Sequence, residues 1–277
     1  TLRVLMDHVD RIYYGDATIA KKPAAGTHKK ARGETVSLRE ITKVHILQGS
    51  GATVTNTTTA VTIEGIVTAD YQADLGSNLI RGFFVQEEDA DADADPATSE
   101  GIFVYCNTCP TPVAVGDKVR VTGLASDFQG LSQISASTAE SVVLISSGNA
   151  LPAMVDVNLP VPAGVANKDI YLEPFESMLV RIPATLTVTE NYQLGRFGQV
   201  TLAADGRPAQ FTHANAPSTT GYSAHLDNLA RHTIILDDHT NAQNPDPVIF
   251  PQGTLSAANT LRSGSTIDNL TGVLHYS

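Results

Sequence analysis

Val61-Thr62-Ile63-Glu64-Gly65-Ile66-Val67-Thr68 alternates with period two: Val61, Ile63, Gly65 and Val67 fall on one face, and Thr62, Glu64, Ile66 and Thr68 on the other. That is the pattern of a half-buried β-strand. Short apolar runs follow at 81–87 (RGFFVQE), 101–106 (GIFVYC), 117–124 (DKVRVTGL), 131–134 and 141–146, with turn residues between them. So many short strands in one stretch predict a small barrel or sandwich. A proline-rich hinge (Pro152, Pro160, Pro162) leads to a second block, where 178–182 (MLVRI), 185–189 (TLTVT), 199–203 (QVTLA), 234–236 and 270–274 read as strands. Ser223 can cap one short helix over 224–231. The expected fold is all-β. A head and basic linker occupy 1–40, a first β domain 41–150 and a second β domain 151–277, each of the two being a small barrel or sandwich.

Composition agrees. The chain has 277 residues, of which 42% are hydrophobic and only 17% charged, against about 25% charged in an average domain. No window approaches the roughly 20 apolar residues of a membrane-spanning helix. There are 18 Lys/Arg and 29 Asp/Glu, net −11. Residues 1–35 hold seven of the basic and four of the acidic residues, net +3, which leaves 11 and 25, net −14, for the rest. An acidic body repels phosphate backbones. Lys21, Lys22, Lys29, Lys30 and Arg32 are therefore the candidate nucleic-acid contacts, and they lie in a Pro/Gly/Lys-rich stretch that reads as a linker or exposed loop. The chain starts at Thr1 without a signal-type run and stops in a strand-like stretch, 272–277, so it reads as a piece of something longer.

One local feature points to a cation. Asp89, Asp91, Asp93, Asp95 and Glu100 stand at positions 1, 3, 5, 7 and 12, the spacing of an EF-hand calcium loop. Carboxylates so close together repel one another, and Ca2+ would relieve the repulsion. The sixth position is Ala94, where an EF-hand has Gly, and strands flank the loop instead of helices. A solvated acidic hairpin tip is the competing reading. Cys106-Asn107-Thr108-Cys109 is a single CxxC with no second ligand pair for zinc. It follows a strand and precedes Pro110, whereas a redox motif opens a helix, so a disulfide across the turn is expected, in an oxidising compartment. His213, His225, His232 and His239 are spread over the second block, with His225 and His232 two helical turns apart. Phe83, Phe84, Phe103 and Tyr105 could stack bases, but a single-strand platform needs cations beside them, and only Arg81, Lys118 and Arg120 are near. Core packing is the expected role of these rings.

Several phrases together resemble one family: 44–51 (VHILQGSG), 61–71 (VTIEGIVTADY), 82–86 (GFFVQ), 95–105 (DPATSEGIFVY), 115–123 (VGDKVRVTG), 178–198 (MLVRIPATLTVTENYQLGRFG), 234–247 (IILDDHTNAQNPDP) and 255–261 (LSAANTL). In this order they resemble the region upstream of the catalytic domain in large secreted bacterial deoxyribonucleases of the exonuclease–endonuclease–phosphatase type. The resemblance implies that the first β domain is OB-fold-like and that the second is of a similar kind. It also implies a secreted, extracellular chain and a metal-dependent nuclease domain later in the parent sequence. The catalytic Asn, Glu, Asp and His motifs of that domain are not in this sequence, so no catalytic residue is carried over. Two functions follow as expectations: a non-catalytic accessory region that positions nucleic acid or acts as a rigid spacer, with at most weak DNA contact of its own, or a calcium-stabilised extracellular module for structure, adhesion or self-association.

Overall fold

In this computed structural model the structure describes residues 2–5, 40–72, 80–239 and 243–276, the first four as backbone alone. In chain order the strands are β1 (Leu2–Leu5), β2 (Val61–Asp70), β3 (Gly82–Gln86), β4 (Gly101–Tyr105), β5 (Lys118–Phe128), β6 (Leu131–Ser135), β7 (Val142–Ser146), β8 (Val155–Asp156), β9 (Leu179–Ile182), β10 (Leu186–Glu190), β11 (Val200–Ala204), β12 (Thr233–Asp237), β13 (Thr266–Ile267) and β14 (Leu270–Tyr276). The helices are α1 (Val44–Gln48), α2 (Lys168–Leu172), α3 (Leu194–Phe197) and α4 (Thr219–His232). The protein is mostly β, as the alternating runs predict. Within the first domain each expected strand is present with its ends moved by a few residues.

Strands β2, β3, β4, β6 and β5 pair in that order, and β2 pairs with β5 to close a barrel. Only β4 and β6 are parallel; the other barrel pairs are antiparallel. A closed five-stranded barrel with this order is OB-fold-like. Closure requires β5 to change partners midway, from β2 through Gly123 to β6 from Leu124 onward. A Cβ at Gly123 would lie 2.1 Å from the Ser135 carbonyl oxygen, so only glycine lets the two backbones approach at the switch. Inside the barrel are Ile63, Val67, Phe83, Val85, Ile102, Val104, Val119, Val121 and Ile134, with Val44 and Leu47 of α1 across one end.

The second half is an open sheet, ordered β13-β10-β11-β12-β1-β14-β9-β8. No pairing among the described residues closes it, so its order is not that of a second OB barrel. Strand β1 runs parallel to β12 and antiparallel to β14, and so brings the chain's head into the middle of this sheet. One face of the sheet packs Val180, Ile182, Leu186, Leu202, Ile234, Leu236 and Leu274 against Leu172, Leu194 and Phe250 from the connections. The expected helix exists but is longer. It begins at Thr219 because Ser218, behind Pro217, accepts the Gly221 N–H (3.1 Å) and caps it five residues before Ser223.

A third apolar cluster joins the halves. Ala69, Tyr71, Phe84, Phe103 and Leu131 on the outside of the barrel pack against Leu179 and Val273 of the sheet. This corrects the half-buried reading of β2: Ile66, Thr68 and Ala69 are buried as well as Ile63 and Val67. The approach is close: a Cβ at Gly101 would meet the Ser177 carbonyl oxygen at 2.3 Å. Ser177 is fully buried with φ 63°, a conformation costly for a residue with a Cβ, and its Oγ has no hydrogen-bond partner among the described residues. Replacing Ser177 with Gly should therefore stabilise the protein by about 1 kcal/mol, since relief of both penalties outweighs the extra chain entropy of glycine. Thermal unfolding of the variant should show a higher midpoint, and Ser177→Val should show a lower one.

Candidate functional site

Between the barrel and the sheet lies a buried polar seam that the alternation pattern does not announce. Gln86 ends β3 and accepts the Leu179 N–H (2.9 Å). Ser99 donates from Oγ to the Glu176 carbonyl (2.6 Å), and Gln48 at the end of α1 donates from Nε2 to the Gly101 carbonyl (2.6 Å). The Glu176 carboxylate, 1% exposed, accepts the Ser132 N–H at 3.3 Å. Burial chiefly, then the nearby Glu173 charge, push its pKa up to about 7, against the opposing bonds from Ser132 and Gln48. Glu173 is raised in the same way by burial and by Asp127 and Asp169. The sequence clue to this seam is the glutamine that ends two of the apolar runs, Gln48 in α1 and Gln86 in β3.

The acidic loop runs from this seam to the surface, and four of its five expected calcium ligands go to separate partners. Asp89 accepts the Ala153 N–H (2.8 Å). Asp91 pairs with Lys43. Asp93 accepts from the Asp95 N–H (2.9 Å) and Thr98 Oγ (3.1 Å), with His45 Nε2 at 3.7 Å. Asp95 accepts the Ala97 N–H (3.0 Å). Glu100 points inward, its pKa raised by burial and then by Asp93 and Glu87. At the base of the loop Glu87 takes the Val44 N–H and the ring of His45 (2.7 Å), and burial raises it against those bonds. Glu88 pairs with Lys118. Among the described residues no group of three or more His, Cys, Asp or Glu is placed to hold a metal ion. Lys43 and Lys118 place positive charge beside Asp91 and Glu88.

The stacking face resolves plainly. Phe83 is in the barrel core, whereas Phe84 and Phe103 face outward with rings 5.0 Å apart, and the second sheet covers both. Phe84 also meets His275 edge-on at 5.8 Å, and Tyr71 lies 4.6 Å from the His239 ring. Tyr105 is half-buried with its hydroxyl 3.2 Å from Asn107 Oδ1. Arg120 is held by Glu64 and Lys118 by Glu88. The outer face of β3 and β4, through which OB-folds take oligonucleotides, is thus occupied by the protein itself.

Cys106 and Cys109 form the expected disulfide, and no cysteine is free. The bridge staples the turn after β4, where Asn107 and Cys109 take positive φ. The histidines are not gathered: His232 faces Asp205 at 3.5 Å, while His225 stacks on Tyr222. With Phe211, Leu226 and Leu229, those two line an open cavity of about 430 Å³ beside α4. Lys21, Lys22, Lys29, Lys30 and Arg32 lie outside the described residues. No helix among the described residues is long and apolar enough to cross a membrane. The geometry defines a class, an OB-type barrel locked by its ligand face onto an open sheet. Comparison with protein-family models and with curated proteins returns no match.

The seam has a pH signature. Glu176 titrates near 4.5 when unfolded and about 7 when folded, so the folded state holds its proton more tightly. The associated stability is fully present below pH 4.5 and is lost as pH rises through 7, amounting to roughly 3 kcal/mol. Glu87, Glu100 and Glu173 shift in the same direction. Thermal midpoints should fall from pH 5 to pH 8, and Glu176→Gln, which still accepts from Ser132, should remove a large part of that fall. An unchanged slope in the variant would assign the dependence elsewhere.

Proposed function

We propose that this chain is a non-catalytic accessory region of a secreted nuclease, acting as a rigid extracellular spacer that holds a neighbouring nuclease domain and its substrate in register. One observation carries the reading. The barrel's oligonucleotide face is spent on the second sheet, so the barrel serves as a structural support and not as a reader of nucleic acid. The order of phrases shared with the region upstream of secreted deoxyribonucleases supports it, and the Cys106–Cys109 bridge is compatible with an oxidising compartment. The acidic body disfavours DNA, so any DNA contact belongs to Lys21, Lys22, Lys29, Lys30 and Arg32.

The pure chain should not cleave DNA with magnesium or calcium present. Fluorescence anisotropy should show weak, sequence-independent binding whose log affinity falls with log salt by a slope no steeper than roughly −4 to −5, the limit for five phosphate contacts. Changing those five residues to Gln should abolish it, while Phe103→Ala should lower the melting point without a separate effect on affinity. Binding that survives the five changes and disappears with Arg120→Ala would overturn the spacer reading. A calcium-dependent rise in melting temperature, lost in Asp91→Asn/Asp93→Asn, would favour the calcium-stabilised structural module instead, because a ligand of the native state stabilises it by mass action.

A further inference from the structure

Helix α4 is the longest of the described helices, and none of its side chains is buried. Helices in proteins are held chiefly by an apolar face packed on a core. In α4 that face is Tyr222, Leu226 and Leu229, at i, i+4 and i+7, and it looks instead onto the open cavity of about 430 Å³ that it shares with the segment 208–212. The walls are built in advance of any ligand. Ser218 caps the helix at Gly221. The Phe211 ring lies on the first turn, 2.7 Å from where a Cβ of Gly221 would stand, and Asn215 Nδ2 donates to the Phe211 carbonyl (2.9 Å). The volume is within the roughly 300–1,000 Å³ of small-molecule sites, which combine apolar and aromatic walls with a few polar groups.

Three observations limit what the cavity can take. The Tyr222 and His225 rings are 27° from parallel with centroids 6.4 Å apart, a nearly flat strip, and Phe211 stands inclined beside them at 6.0 and 5.7 Å. The face of an aromatic ring is electron-rich, so the strip suits a ligand surface made of C–H groups. The side chains of Gln210 and Thr212, the Tyr222 hydroxyl and the His225 ring nitrogens make no hydrogen bond to other residues of the chain among those described, and each group can donate and accept. Finally, no Lys, Arg, Asp or Glu lines the cavity. A phosphate would find no cation there, on a chain of net charge −11. We propose that the cavity binds a neutral saccharide, with one pyranose ring laid on Tyr222 and His225 and its hydroxyls bonded to Gln210 and Thr212. A pyranose is apolar on its C–H face and carries a rim of hydroxyls that both donate and accept, the same combination that lines the cavity. A nucleobase would also suit the rings, but in a nucleic acid it brings phosphate with it. The inference is independent of the nuclease reading.

Cellotetraose, maltotetraose and the tetramer of N-acetylglucosamine are suitable probes for the whole chain, with adenosine as the competing ring compound. Isothermal titration calorimetry should show at least one of the three sugars binding with a Kd of about 1 mM or tighter, and adenosine binding more weakly than that sugar. Saturation-transfer difference NMR should place the strongest transfer on the C–H protons of one sugar ring. Tyr222→Ala removes half of the strip and should weaken binding about tenfold. Thr212→Val keeps the shape and removes one hydroxyl, and should weaken it by roughly three- to tenfold. Both sites are exposed, so thermal midpoints should stay where they are. No binding by any of the three sugars, binding undiminished in both variants, or adenosine binding more tightly than every sugar would each overturn the proposal. Should Tyr222→Ala fail to fold, Thr212→Val decides.

Discussion

The burial of Phe84 and Phe103 under Leu179 and Val273 is the contact on which the arrangement of this protein depends. A closed barrel satisfies its interior with one face of each strand and leaves the other face to solvent. Here the outer face of β3 and β4 carries large aromatic groups, and in water they would form a contiguous apolar patch. The second sheet removes that patch, at about 25 cal/mol for each Å² of apolar surface withdrawn from water. The barrel and the open sheet therefore share a core at their junction, and the face available to a ligand in a free OB barrel is used for assembly.

Packing two sheets so closely brings backbone groups out of water along the line of contact. Each must find a partner, since an unmet buried polar group costs about 1–3 kcal/mol. Gln86, Ser99 and Ser132 bridge from the barrel half to an amide, a carbonyl and a carboxylate of the other, and Gln48 meets the Gly101 carbonyl within the barrel half. Glu176 belongs to this seam, and its raised pKa follows from the same burial. The acidic loop is anchored at the end of the seam, where Glu87 ties β3 to the start of α1 through Val44 and His45. Asp91 and Glu88 of the loop are met locally by Lys43 and Lys118.

Much of this architecture was legible in the residues. Period-two alternation located the barrel strands, because a strand with one face in a core must alternate whatever its neighbours are. The CxxC pair needed no context to find its partner, since the spacing permits the bond and no other cysteine competes. The order of phrases pointed to an OB-fold-like first unit, and the pairings β2-β3-β4-β6-β5-β2 have that order. Helix α4 was visible in kind but misplaced at its start, because Ser218 and Ser223 are equally good caps on paper and only the path of the chain from Pro217 chooses between them.

What the alternation could not disclose was the second face. Ile66, Thr68 and Ala69 stand at positions that a lone strand gives to solvent or to a partner alike, and the second sheet decides. The same holds for Phe84 and Phe103: their sequence fits a stacking platform as well as a packed junction, and only the sheet lying over them separates the two. The entry of Leu2–Leu5 between β12 and β14, and the long-range partners of Asp89 and Asp91 in Ala153 and Lys43, are also tertiary facts. Periodicity along a chain records local burial, whereas the identity of the covering surface depends on contacts between residues far apart in the chain, which no local pattern encodes.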